Sequence, residues 1–265
     1  MAKVTSNMLL SGSLGDYSIY KMEGVEKFII RAKGGPTKEQ IANDPEFKPL
    51  RNSQAELSSG SKGAALIRYV TLALSPLADH AFSGKLTKVC RIIQAQDKIA
   101  ERGKRAILFS KYGKMLEGMN FNDRKVMDNV LTQLPSFNIF REEHKATVSF
   151  PALLPKLNIL NPWNHPEYRF IITFGVLQDM VYTENGYEIT NPAVTLNRTR
   201  IITDWHSSNT PLAAKTFELT LENNTILDAS SSLLLAVGIQ FGKVITTSLI
   251  EPIKKAGCAK IIGVR

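Results

Sequence analysis

The chain has 265 residues, 43% of them hydrophobic and 22% charged, with a formal net charge of +9. That length can bury one large core or two modest ones, with two the expectation here, and the composition is that of a folded globular protein. No apolar run approaches the ~20 residues of a membrane-spanning helix.

The basic excess is uneven. Residues 1–145 hold 23 Lys and Arg against 15 Asp and Glu, a net of +8, while residues 146–265 hold 10 against 9, a net of +1. Whatever the charge serves therefore belongs to the first half. The opening MAKVTSNMLLSGS has one short apolar patch at residues 8–10, too short for a signal peptide, so synthesis in the cytoplasm is expected. Cys90 and Cys258 stand far apart in unlike contexts; two thiols build neither a metal site nor a disulfide framework. They are expected as small buried hydrophobes.

In chain order, residues 16–22 (DYSIYKM) and 25–32 (VEKFIIRA) read as two strands around a Glu23-Gly24 turn. So short a pair has little surface of its own, and it is expected to add to another sheet, in this chain or in a second copy. Thr37 and Gln40 have capping-box spacing at a helix start, and Pro45 and Pro49 keep the helices there short.

From 55 to 116 the pattern is helical. Leu66, Tyr69, Val70 and Leu74 form one apolar stripe. Leu86, Val89, Cys90, Ile93 and Ile99 form a second. Lys85, Lys88, Arg91, Lys98, Arg102, Lys104, Arg105, Lys111 and Lys114 fall between residues 84 and 114, opposed only by Asp97 and Glu101. A basic helical face can neutralise phosphates and release counterions. Aromatic residues are sparse there, which argues against base stacking on single strands. Gly118, Pro135 and the change of periodicity put a boundary near 140–147.

Residues 146–265 read as strands. Val148 and Phe150 point inward in the first, 168–176 (YRFIITFGV) is a strong strand, and Asn185-Gly186 is the best short hairpin signal. Residues 199–205 form another strand. Phe217, Leu219 and Leu221 then alternate with polar residues, Asn223-Asn224 can reverse the chain, and 233–241 is apolar throughout. These last two runs are expected to pair as a hairpin, and 259–264 to close the sheet. The fold class expected is α+β: an N-terminal β-hairpin and basic helical region over 1–145, then an immunoglobulin-like antiparallel β-sandwich over 146–265.

Motifs for catalysis are missing. His80, His144, His165 and His206 have no zinc-binding spacing. Asp204, His206 and Ser208 are close in sequence, but triad members meet through the fold, and there is no GxSxG elbow. Gly60-x-x-Gly63 lacks the phosphate-loop spacing, and its glycines read as a flexible stretch before a helix. No catalytic, cofactor or metal residue is assigned, and no small-molecule substrate is inferred.

The stretch from Gly12 to Glu56 carries a further resemblance. Gly12, Gly15, Tyr20-Lys21, the Arg31-Ala32-Lys33-Gly34-Gly35 stop, the run from Ile41 to Phe47 and Arg51-Asn52 resemble the opening of a family of uncharacterised Bacteroidota proteins. The resemblance covers about the first 65 residues; it implies a bacterial origin and supplies no catalytic residue.

Two functions are expected. The leading one is a non-enzymatic structural or interaction protein that assembles with itself, in a phage-like or filamentous particle, by strand addition through Tyr20, Phe28, Ile29 and Ile30. The alternative is a nucleic-acid or polyanion binder using Lys88, Arg91, Lys98, Arg102, Lys104, Arg105, Lys111 and Lys114.

Overall fold

The computed structural model describes residues 2–4, 11–22, 28–222, 227–246 and 249–265. The patch at 8–10, the Glu23-Gly24 turn, the start of the 25–32 strand and the Asn223-Asn224 turn lie outside the described residues. The chain divides into two compact units, Met1–Arg51 and Asn52–Arg265.

The first unit holds β1 (Ala2–Val4), β2 (Gly12–Leu14), β3 (Tyr17–Tyr20), β4 (Phe28–Ala32) and α1 (Lys38–Asn43). Its strands form one antiparallel sheet in the order β1-β4-β3-β2. β3 and β4 pair as expected, with Tyr17 opposite Ala32 and Ile19 opposite Ile30. Each also has a second neighbour, so the pair is completed by its own chain. This corrects the expected assembly route: Tyr20, Phe28, Ile29 and Ile30 lie on interior strands, and the open backbone edges belong to β1 and β2. The capping box is present: Thr37 Oγ1 accepts from the Gln40 amide at 3.1 Å, and Gln40 Oε1 accepts from the Thr37 amide at 2.7 Å. At the other end of α1, the Arg51 guanidinium donates to the Ile41 and Asp44 carbonyls, which the helix leaves without partners.

α2 (Lys48–Val70) carries the chain into the second unit. There follow α3 (Phe82–Gln94), α4 (Phe109–Tyr112), β5 (Ser136–Phe140), β6 (Lys145–Phe150), β7 (Glu167–Gln178), β8 (Met180–Thr183) and β9 (Gly186–Ile189). The chain ends with α5 (Pro192–Thr195), β10 (Arg198–Ile202), β11 (His206–Ser207), β12 (Lys215–Thr220), β13 (Ser231–Thr246) and β14 (Leu249–Val264). The fold is α+β with antiparallel sheets. Among the described residues no helix is long and apolar enough to cross a membrane.

The centre is a five-stranded sheet, β10-β7-β13-β14 with β11 also on β7. β13 is buried at every position from Ser231 to Gly242. Its odd-numbered residues Leu233, Leu235, Val237, Ile239 and Phe241 pack with Tyr168, Phe170, Ile172, Phe174 and Val176 of β7 against a second sheet, β12-β6-β5. Phe150 of β6 lies 4.2 Å from Phe170, centroid to centroid. On the other face Leu234 and Ala236 meet Ala64, Ile67 and Val70 of α2, Leu74 and Leu77 of the turn that follows, and Leu86, Cys90 and Ile93 of α3. Gly238 is glycine because these leucines fill the space: an added Cβ would lie 2.6 Å from Leu74 Cδ2 and 2.9 Å from Leu77 Cδ1.

Three expectations change. The run at Phe217 does not pair with the apolar run at 233–241: β12 pairs with β6 in one sheet, and β13 with β7 and β14 in another. The unit boundary falls after Arg51 and not near 140–147, because helices from 52–121 and strands from 167–264 share one core. Helical structure over 55–116 is broken after Gln94, which leaves Ile99, expected on the apolar stripe, fully exposed. The hairpin at Asn185-Gly186 forms, with Thr183 opposite Gly186, and both cysteines are buried, free thiols. Burial pushes each thiol up to about 12, which leaves both unreactive at neutral pH.

A sheet dry on both faces makes a direct prediction. Leu234 and Leu235 are adjacent and face opposite layers, so Leu234→Ala and Leu235→Ala should each lose about 2–5 kcal/mol in urea unfolding. A sheet with one wet face would leave one of the two variants within about 0.5 kcal/mol of wild type.

Candidate anion-binding groove

The groove is built where α2 meets α3. Ser59, Gly60, Gly63 and Ala64 put small residues on one side of α2 at helical spacing, and all four are buried. An added Cβ at Gly60 would lie 2.9 Å from Arg91 Cγ and 3.4 Å from the Thr87 carbonyl oxygen, so the stem of Arg91 lies across this glycine. At Gly63 the neighbours are Cys90 Sγ and Ile107 Cδ1, each 3.3 Å away. Gly60-x-x-Gly63 thus lies within a helix, at a close contact with its neighbour, and not in a flexible stretch before one.

After α3 the chain turns back over α2 in a loop held by buried polar contacts. Gln94 Nε2 faces Ser59 Oγ and the Arg105 carbonyl, each at 2.8 Å, and Tyr187 Oη at 3.2 Å. Tyr187 in turn donates to the Gly103 carbonyl at 2.9 Å. Glu56, buried on α2, accepts the Gly103 amide at 2.9 Å and lies 4.0 Å from Arg105 Nε. Asp97 organises the loop from inside, with one carboxylate oxygen accepting the Ile99 and Ala100 amides and the other the Ala106 amide. Burial opposes ionisation of Asp97. The amides of Ala106, Ala100 and Ile99 outweigh it, Arg105 adds to them, and the carboxyl is held below the ordinary aspartate range.

The result is a concavity of about 640 Å³ whose lining includes Glu56, Leu57, Lys88, Arg91, Ile92, Arg102 and Arg105. Lys88, Arg91 and Arg102 are exposed, and Arg105 is half-buried. Four cations against one carboxylate leave the lining at +3. Among the described residues Lys88, Arg91 and Arg102 have no carboxylate within 4.0 Å; Arg102 donates to Ser53 Oγ. Leu57 and Ile92, 49% and 44% exposed, give the groove an apolar strip.

Of the eight basic residues expected on one face, the fold gathers Lys88, Arg91, Arg102 and Arg105. Lys98 donates to the Ala95 carbonyl at 2.7 Å, and Lys104 lies over the Tyr182 ring at 5.8 Å. Lys111 and Lys114 lie on α4 and the turn after it and do not line the groove. Sequence reasoning missed Glu56 and Leu57. The signal for Glu56 is its position three and four residues before Ser59 and Gly60, on the same side of α2. Elsewhere, the Ser208 hydroxyl donates to the His165 carbonyl at 2.9 Å, so it is turned away from a triad contact with His206.

Because the Asp97 carboxyl is held low, its contribution is present above the unfolded value of about 4 and disappears as pH falls through the folded value. Asp97→Asn should therefore lose about 1.5–3 kcal/mol near neutral pH, and the gap to wild type should close in acid, read by urea unfolding across the pH range.

No family model, curated protein or solved structure matches the chain.

Proposed function

We propose that the chain is a non-enzymatic binding protein that holds a polyanion, the phosphate backbone of a nucleic acid, in the groove between α2 and α3. The observation that carries this reading is the set Lys88, Arg91 and Arg102, gathered around one concavity with no carboxylate partner among the described residues. Like charges held together repel, and a concave wall of one sign focuses potential on an incoming anion. No aromatic side chain is in the lining, so recognition runs through phosphates and not through stacked bases. The facing sheets, the part of the expected immunoglobulin-like sandwich that bears on function, serve as a rigid support beneath the helices.

The test is fluorescence anisotropy with a labelled DNA duplex over a salt series. Lys88→Gln, Arg91→Gln and Arg102→Gln together should weaken binding more than ten-fold and flatten the slope of log K against log salt by about 2.7, roughly 0.9 per cation. Unchanged affinity in the triple variant would sink the reading.

Self-assembly is the second reading, favoured by a different observation. β13 and β14 run on as a two-stranded ribbon past Gly242, where the pairing of β13 with β7 ends. Val244, Ile245 and Leu249 on that ribbon are about half exposed, at 50%, 48% and 55%. A second copy of the chain is the proposed occupant. Light scattering over a concentration series should show an oligomer that Val244→Ser, Ile245→Ser and Leu249→Ser dissociate; a wild-type protein that stays monomeric at every concentration rules this out.

A further inference from the structure

A second cleft takes its cations from the segment of the chain whose net charge is almost nil. Arg198 and Arg200 are two residues apart on β10, so they share a face of the sheet. Arg200 is directly opposite Thr173 of β7 in the ladder, and cross-strand partners point to the same side. That side is the one covered by the helices, since Ile171, two residues from Thr173, packs in the helical core. The three residues line a cleft of about 170 Å³ together with Thr199, Val70, Leu72 and Ala73. One water needs only about 10–15 Å³ of such space.

Three features of this cleft ask for an anion. Thr173 is 1% exposed, and its Oγ1 is buried with no hydrogen-bond partner. A buried hydroxyl left so is unusual enough to need a cause. Arg198 is oriented by its neighbours: its guanidinium stacks on the Tyr69 ring at 3.8 Å and donates to the Tyr69 carbonyl. Arg200 is exposed and, among the described residues, has no ion pair, and no carboxylate is in the lining. Two guanidinium groups beside one unspent hydroxyl offer charge and a hydrogen-bond donor to the same oxyanion.

The cleft also continues. A neighbouring hollow of about 370 Å³ shares Leu72, Ala73 and Arg200 with it and is walled by Pro76, Ile171, Ile202 and Pro252. Its remaining polar lining is Arg169, Gln240 and Lys254. The Arg169 guanidinium is held in place, donating twice to Gln240 Oε1 at 3.0 and 2.8 Å and stacking on Trp205 at 4.5 Å. Leu72, Ala73, Pro76, Ile171, Ile202 and Pro252 thus form an apolar shelf beside the charged end, with Arg169, Gln240 and Lys254 as its polar lining.

We propose that Thr173, Arg198 and Arg200 form an oxyanion site for a small phosphate monoester, whose apolar body lies on the Leu72–Pro76–Ile202 shelf. The site is separate from the groove between α2 and α3 and shares no lining residue with it.

Isothermal titration with phenyl phosphate and with inorganic phosphate, at matched ionic strength, tests the proposal. Phenyl phosphate should bind saturably and several-fold tighter than inorganic phosphate. Thr173→Val, which replaces the hydroxyl by a methyl of the same shape, should weaken it about ten-fold, and Arg200→Gln by at least as much. Lys114→Gln, outside both clefts, should leave it unchanged. The Thr173→Val protein should unfold at the same or higher urea concentration than wild type, so lost binding cannot be lost folding. No saturable binding, or binding indifferent to both Thr173→Val and Arg200→Gln, overturns the site; equal affinity for the two probes overturns the shelf's part in it.

Discussion

The pairing of β7 with β13 is the constraint on which the second unit depends. Both strands are largely buried on both sides, and twelve successive residue pairs, from Ser231 opposite Gln178 to Gly242 opposite Glu167, join them. Backbone groups so deep in the core must be paired, and the ladder does this. Side chains on two faces then need two covering layers, and neither half of the chain has both. Residues 48–94 supply α2, α3 and the turn with Leu74 and Leu77 on one face; residues 136–220 supply β5, β6 and β12 on the other. The sheet is thus the reason residues 52–121 and 167–264 cannot be separate domains.

The groove follows from the same packing. α2 is pinned to the sheet through Ala64, Ile67 and Val70, and the small residues beside them bring α3 close. α3 turns Leu86, Cys90 and Ile93 inward, which sends Lys88 and Arg91, three residues apart, outward on one face. The loop after α3 adds Arg102 and Arg105, and that loop keeps its course because buried Glu56, Gln94 and Tyr187 hold its backbone. A buried carboxylate that accepts a backbone amide and faces an arginine is satisfied where it stands; without those two contacts Glu56 would be a strongly unfavourable charge in the core.

How much of this was legible varies with the range of the interaction. Local chemistry was clear: the Thr37–Gln40 capping box, the Asn185-Gly186 hairpin and the inward Val148 and Phe150 depend on residues within a few positions of one another. The partner of β12 was not. Alternation in Phe217, Leu219 and Leu221 tells which face is wet, and says nothing about which distant strand lies alongside. A sharper signal was present in the contrast between the two runs. A strand with one wet face and a strand with none, such as 233–241, belong to different depths of the structure, so adjacency in sequence was a poor guide to pairing. Ile99 failed for a related reason. Six residues after Ile93, it is off the helical period of that stripe, and the Asp97 carboxylate captures the amides of Ile99 and Ala100, a local bond that competes with the helix. The sites were legible only as composition. Basic residues between 84 and 114 could be counted, whereas their division into groove and non-groove depends on where the chain turns after Gln94.

Regional net charge turns out to be a weak guide to where charge acts. Lys85 lies three residues from Lys88, yet it is held by Asp79 at 3.0 Å and Asp123 at 2.7 Å. Lys260 is likewise tied to Asp128, and Arg265 to Glu117. Such cations serve the fold, and a segment rich in them can be basic without presenting a field. Burial opposes the charge on Lys85, but its two carboxylates outweigh this and raise its pKa, while the same lysine helps hold Asp79 low against its own burial. Lys88, Arg91, Arg102 and Arg200 have no such partner among the described residues, and they stand in two clefts whose cations come from differently charged halves of the sequence. The near-neutral half hides its cleft because Glu and Asp elsewhere in it cancel the sum without approaching the site. A charge contributes to recognition when the fold keeps opposite charges away from it, and that separation is a property of the packed sheet and helices, which fixes it residue by residue.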